Sequence, residues 1–233
     1  MHIIITRPKE DAINLIGKLK QLGHVATHLP LIKIKKIETK KINLENYKAI
    51  IFTSSNAVKF MSIKKFNLKI KCFCVGNATE VTAKQAGFIN TYSSGGTVDS
   101  LIELVIRTQD KKSGKLLYLS SEFISKDLDK ELVNEGFSVD RVSNYTSLPI
   151  EQIDETVLNI FKTNPPDVFF IYSVRRANNL FNLINKYSLL NLVTQSNLMC
   201  ISEKVLLELN QIKWKQVLIF NPGEEEFLLN KIK

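Results

Sequence analysis

A chain of 233 residues that is 44% hydrophobic holds enough apolar material for one large core or two smaller ones. No apolar run approaches the ~20 residues of a membrane span, and Pro8 with the acids behind it interrupts the N-terminal segment too early for a signal peptide, so a cytoplasmic protein without a membrane partner is expected. Lys and Arg number 32 against 23 Asp and Glu, a formal charge of +9 that favours an anionic partner, but the lysines are scattered and form none of the signatures of a nucleic-acid module.

In chain order, the apolar and β-branched runs "HIIIT", "HVATHLPLIKI", "KAIIFT", "KCFCVG", "FINTY", "KLLYLS", "SVDRVSNYT", "DVFFIYS", "NLMCIS" and "QVLIFN" read as strands. Amphipathic patterns between them read as helices over Glu10 to Leu22, Asn56 to Ser62, Ala78 to Ala86 and Val98 to Arg107. Further helices are read over Ser125 to Asn134, Arg175 to Tyr187, Glu203 to Leu209 and Glu224 to Ile232. Strand-helix alternation of this kind gives parallel sheets flanked by helices, an α/β fold.

The chain also repeats itself. "HIIITRPKEDAINLIGKLKQLGHVATHLPLIKI" and "KLLYLSSEFISKDLDKELVNEGFSVDRVSNYTSLPI" follow one plan of strand, polar turn, helix, glycine, strand and proline-marked exit, with Gly23 answering Gly136. "KAIIFTSSNAVKFM" answers "DVFFIYSVRRANNLF", and "KCFCVGNATEVTAKQAG" answers "NLMCISEKVLLELN". Two similar α/β lobes follow. They stand in tandem or exchange their first units, in which case the exits "LPLIKIKKIE" and "YTSLPIE" run side by side and Tyr145 faces the cleft.

Several strand ends pass into helices through small polar residues: Thr53 to Asn56, Gly76 to Thr79, Ser93 to Thr97, Ser120 and Ser121, Tyr172 to Arg176, Ile201 to Lys204 and Asn221 to Glu224. Plain N-capping accounts for any one such turn. Seven at the carboxyl ends of parallel strands say more, because the unpaired N–H groups of helix N-termini attract carboxylates and phosphates there. Arg7, Arg175 and Arg176 follow strands and offer guanidinium forks suited to carboxylates. No turn is a nucleotide-binding glycine loop, and no serine or cysteine triad can be assembled, since His2, His24 and His28 crowd one end. Three cysteines, Cys72, Cys74 and Cys200, fit reduced structural thiols, and no metal set is indicated.

The order of these motifs resembles the uroporphyrinogen-III synthase family. The resemblance rests on "ITRP", "LPLIKI", "IIFTSSNAV", "CVGNATEVTAKQAGF", "TVDSLIELV", "LLYLSSEFISKDLDKELVNEGFSVDRVSNYTSLP", "DVFFIYS" and "NPGEEEFLL", which span nearly the whole chain. It implies two HemD-type, flavodoxin-like lobes joined by a two-stranded hinge near residues 33–38 and 144–150. Lobe 1 would be residues 1–35 with 148–233, and lobe 2 residues 36–147. It also implies a reaction: hydroxymethylbilane, a linear tetrapyrrole with eight carboxylates, loses its ring A hydroxyl as water and closes with ring D inverted.

In that scheme Tyr145 is the general acid. Thr53, Ser54 and Ser55, then Gly76, Asn77 and Thr79, hold substrate carboxylates, with Ser173 in the equivalent turn of the other lobe and Arg7, Arg175 and Ser202 as further contacts. The family's late Gly-Pro-x-Thr turn is replaced here by Ile201, Ser202, Glu203 and Lys204, and Glu203 opposes a carboxylate at that place. "YSVRR" replaces a serine-rich run, so Arg175 and Arg176 are expected to take over carboxylate contacts. The resemblance implies no cofactor, and a monomer is expected. The competing expectation is a non-catalytic two-lobed module that binds anions or tetrapyrroles.

Overall fold

The computed structural model describes residues 1–233 except Phe66, Pro222, Asn230, Ile232 and Lys233; the side chains of Glu10, Asp11, Lys65, Glu226 and Leu228 also lie outside the description. The first elements are β1 (His2–Ile5), α1 (Lys9–Gln21), β2 (Val25–His28), β3 (Ile32–Lys36) and β4 (Ile42–Asn43), followed by a 3-10 turn at Leu44–Asn46. Next come β5 (Ala49–Phe52), α2 (Ser55–Lys59), β6 (Ile63–Lys65), β7 (Lys71–Cys74), α3 (Asn77–Gln85), β8 (Thr91–Ser93) and α4 (Val98–Thr108). The middle of the chain holds β9 (Leu116–Ser121), α5 (Leu128–Asn134), β10 (Val139–Pro149) and α6 (Glu155–Thr163). The remainder is β11 (Val168–Ile171), α7 (Val174–Lys186), α8 (Leu190–Val193), β12 (Asn197–Cys200), α9 (Glu203–Leu207), β13 (Gln216–Ile219) and α10 (Glu225–Leu229).

The chain divides into two compact units: unit 1 is Met1–Lys33 with Leu148–Lys233, and unit 2 is Ile34–Ser147. Unit 1 has a five-stranded sheet of order β2-β1-β11-β12-β13, parallel throughout. The six-stranded sheet runs β3-β10-β9-β5-β7-β8, and its pairs from β10 to β8 are parallel. Without β3, its order repeats that of unit 1, with β9-α5-β10 in the place of β1-α1-β2. Each sheet therefore combines a β-α-β segment from one half of the chain with three strands from the other. Where the chain passes between units, β3 and β10 are neighbours: the Ile37 N–H donates to the Asn144 carbonyl at 3.0 Å and the Ile150 N–H to the Leu31 carbonyl at 3.2 Å, an antiparallel sense.

The strands are apolar on both faces because helices cover both. In unit 1, Ile4, Phe169, Ile171, Leu198 and Cys200 line one face, while Ile3, Ile5, Val168, Phe170 and Met199 line the other. In unit 2, Ile50, Phe52, Cys72, Cys74, Leu117 and Leu119 oppose Ala49, Ile51, Phe73, Leu116 and Tyr118 in the same period-two manner. Each large side chain so buried contributes roughly 1.5–3 kcal/mol. The three cysteines are buried free thiols, with the Cys72 and Cys74 sulfurs 3.8 Å apart on one face.

Several expectations are corrected. "HVATHLPLIKI" forms two strands rather than one, β2 and β3, split at Pro30, which has no N–H to give a ladder. The first helix turn of unit 2 ends at Lys59, three residues early, and the last helix runs over Glu225–Leu229; the expected end at Ile232 lies outside the described residues. α6, α8, β4 and β6 are elements the sequence reading does not place.

Candidate active site

In unit 2, β5 runs into α2 through Thr53, Ser54 and Ser55. Ser54 is extended and caps α2, its Oγ accepting from the Asn56 N–H at 3.2 Å. The Thr53 hydroxyl is 3.1 Å from the Tyr118 hydroxyl, so its side chain is engaged within the unit. On the neighbouring strand, Gly76 caps α3 and its carbonyl accepts from the Thr79 N–H at 3.1 Å; Thr79 is buried and Asn77 exposed. Gly76 lies against Gly96, close enough that a Cβ added to Gly76 would stand 3.5 Å from the Gly96 Cα. The β8–α4 turn closes with a reciprocal cap: Thr97 Oγ1 accepts from the Ser100 N–H at 3.1 Å and Ser100 Oγ accepts from the Thr97 N–H at 3.3 Å. Ser93, Ser94, Gly95, Ser100, Glu103 and Arg107 line a polar cavity of about 390 Å³ beside it.

Tyr145, on β10, is 7% exposed and lies on the α2 face of the sheet, its ring 6.4 Å from that of Phe60. Burial pushes its phenol above the ordinary value, while hydrogen bonding with the Ser54 and Ser121 side chains pulls it back. The balance keeps it protonated at neutral pH. Ser121 ends β9, and that exit turn is pinned by Arg141, which donates to Ser120 Oγ at 2.9 Å, to the Ser121 carbonyl at 2.9 Å and to the Glu122 carbonyl at 3.1 Å. The structure thus brings the expected Tyr145 and Ser54 together. Ser121, in one of the polar turns read from the sequence, joins them, and the structure adds Arg141 and Asn144, whose signal in the sequence was the polar content of a strand, "SVDRVSNYT", that a purely structural sheet position would not need.

The corresponding turns of unit 1 carry charge. The Arg7 guanidinium pairs with the Glu225 carboxylate at 2.7 Å and stacks 4.0 Å above the Tyr172 ring. Its backbone carbonyl lies 2.8 Å from His28 Nε2, and Glu225 is 3% exposed, accepting also from the Gly223 N–H at 2.7 Å. Arg7, expected to meet a substrate carboxylate, is here held by a carboxylate of the chain itself. Nothing in the sequence links these two residues, which lie 218 positions apart. Ser173 caps α7, accepting from the Arg176 N–H at 3.3 Å. Arg175, with Ile32, Pro149, Asn178, Asn179 and Asn182, lines a cavity of about 220 Å³. Ser202 begins the five-residue α9 without a side-chain cap, and Glu203 and Lys204 beside it are exposed. Of "NPGE", Pro222 lies outside the described residues.

The family model for uroporphyrinogen-III synthase HemD matches residues 14–225. A porphyrin biosynthesis protein HemD of Ruminiclostridium josui is 26% identical over 159 residues, a match covering 62% of this chain and 32% of that protein. The chain thus spans about a third of the length of that curated relative. The fold is that of solved uroporphyrinogen-III synthases: one from Helicobacter pylori at TM-score 0.65 and 15% identity, covering 99% of both chains. A mutant enzyme from Thermus thermophilus gives TM-score 0.55 and 13% identity over 99% of this chain and 97% of that one. With the family model spanning nearly its whole length, this chain belongs to the uroporphyrinogen-III synthase family.

Proposed function

We propose that this chain is a uroporphyrinogen-III synthase, a carbon–oxygen lyase of the cytoplasm that closes hydroxymethylbilane into the type III macrocycle. The observation that carries the reading is the Tyr145 phenol, buried on the α2 face of the unit 2 sheet at the carboxyl ends of its strands, where burial holds it above the ordinary value and the nearby Ser54 and Ser121 side chains temper the rise. Membership of the family supports it.

The chemistry asks little of the protein beyond orientation and one proton. Tyr145 donates its proton to the ring A hydroxyl as the carbon–oxygen bond breaks, and water leaves. The carbocation formed is stabilised by its own pyrrole nitrogen. The substituted carbon of ring D attacks it, the spiro intermediate reopens, and ring D closes inverted. The proton finally lost from the pyrrole carbon balances the one the phenol gave up, with the Ser54 and Ser121 hydroxyls stabilising the phenolate meanwhile. Carboxylates of the substrate are taken by the helix N-termini at Thr53 to Ser55, Gly76 to Thr79 and Ser173, with Arg175 adding a guanidinium and Ser202 a further N–H.

The test supplies freshly made hydroxymethylbilane to the purified chain and separates the type I and type III products after oxidation. The proposal expects type III to dominate. Product of the spontaneous type I form alone would leave a non-catalytic anion-binding module of the same fold.

A further inference from the structure

We propose that Asn144 is a positioning residue, the extra residue of a bulge in β10 that turns Tyr145 onto the face of the sheet where Ser54 lies and ties it to α2. This rests on the reading of Tyr145 as the general acid.

The bulge is read from the register. Val142 stands opposite Leu119 and Ser143 opposite Ser120, but the partner of Ser121 is Tyr145, so two residues of β10 answer one of β9. Alternation shows what that changes. Val139 packs with Leu116 and Tyr118 on one face, and Val142, three residues on, with Leu117 and Leu119 on the other. Three further residues of regular strand would return Tyr145 to the Tyr118 face, away from Ser54. The inserted residue instead leaves Tyr145 on the Val142 face.

Asn144 is also where the bulge is fastened. Its side chain is wholly buried, and its Nδ2 donates to the Ala57 carbonyl at 2.7 Å. Ala57 sits in α2, the short helix that Ser54 caps. One hydrogen bond therefore locks the strand bearing the phenol against the helix that Ser54 caps. The arrangement has a cost: Asn144 Oδ1 is buried without a partner among the described residues. An apolar side chain would fill the site without that penalty. What asparagine adds is the donor to Ala57.

The experiment uses the full chain with Asn144→Ala and the milder Asn144→Ser, each alone and with Tyr145→Phe. The expected result is a kcat for type III product lowered about tenfold or more, as small misplacements of a catalytic group produce, with KM within about twofold of the parent. In the Tyr145→Phe background the same substitutions should lower kcat no further, because the group they position is gone. Equal losses in both backgrounds overturn the proposal. An independent readout is the ultraviolet titration of Tyr145, taken as the difference between each protein and its Tyr145→Phe counterpart. Its midpoint should fall towards the ordinary tyrosine value in the Asn144 variants, and an unmoved midpoint in a cooperatively melting variant also overturns it. Should the parent make no type III product, the proposed activity fails while this titration still decides the role of Asn144. Should Asn144→Ala not fold, Asn144→Ser carries both comparisons.

Discussion

Units 1 and 2 share a strand order and a set of strand-to-helix turns, yet they equip those turns differently. Unit 2 gathers hydroxyls: Ser54 and Ser121 about Tyr145, and Thr53 against Tyr118. Unit 1 gathers charge: Arg7 on Glu225, and Arg175 and Arg176 at the start of α7. Even the fastening of the segments where the chain crosses is mirrored with roles reversed. In unit 2 the strand residue Asn144 donates to α2, whereas in unit 1 the helix residue Asn179, on the counterpart α7, donates to the Leu31 and Ile150 carbonyls at 2.6 and 3.1 Å. Topology fixes where ligands can be met, and the side chains at equivalent turns decide what is done to them.

The sharpest way to test that division is to remove the phenol from each unit. Tyr145→Phe should lower kcat by about 10²–10⁴-fold, the usual worth of a general acid, whereas Tyr172→Phe should leave it within about threefold. Equal losses, measured as the initial rate of type III formation, would erase the distinction. Next in size is the ion pair of unit 1. Glu225→Ala leaves Arg7 in a half-buried site without its carboxylate and should cost about 3 kcal/mol, the lower end for splitting a buried pair, read as a shift of the urea midpoint. A smaller effect is expected where unit 1 would hold substrate: Arg175→Ala with Arg176→Ala should raise KM about tenfold, roughly one charge-assisted hydrogen bond, with kcat retained. An unchanged KM removes both arginines from the site.

The smallest effect concerns alkaline stability. Burial raises Tyr118 and Tyr145 in unit 2. The folded state favours the neutral phenol, so this stability is present below the unfolded value near 10 and is lost as pH rises from there through the folded value. Each should account for at most about 0.4 kcal/mol by pH 10, when half of the unfolded phenols have ionised. Urea titrations at pH 9 and pH 10 should show Tyr118→Phe removing one such share, and an unchanged slope would sink the assignment.

The sequence was most legible where one residue type answers one local demand. "HIII", "AIIF", "KCFC" and "VFFI" could only be strands covered on both faces, and "SSGGT" announced the cap at Thr97 that the reciprocal hydrogen bonds with Ser100 complete. α6 has a readable start in Asp154, whose carboxylate accepts from the Thr156 N–H at 2.8 Å, but the proline-marked exit just before it masks its short amphipathic pattern. The bulge at Asn144 and the partner of Arg7 were not legible. Both depend on what stands opposite in space, from β9 in one case and from the far end of the chain in the other, and neither leaves a periodic trace.

The place of β1 has a consequence for how the protein is made. It lies between β2 and β11, and β11 begins at Val168, so the β1-α1-β2 segment emerges with a bare apolar edge and no third strand to cover it. At roughly 5–20 residues per second, that edge waits on the order of ten seconds on the ribosome, while the whole of the 34–147 unit is synthesised and free to collapse first. The nascent chain therefore carries β1 uncovered through the synthesis of all those residues, and the buried run Ile3, Ile4 and Ile5 is a stretch a chaperone has time to find.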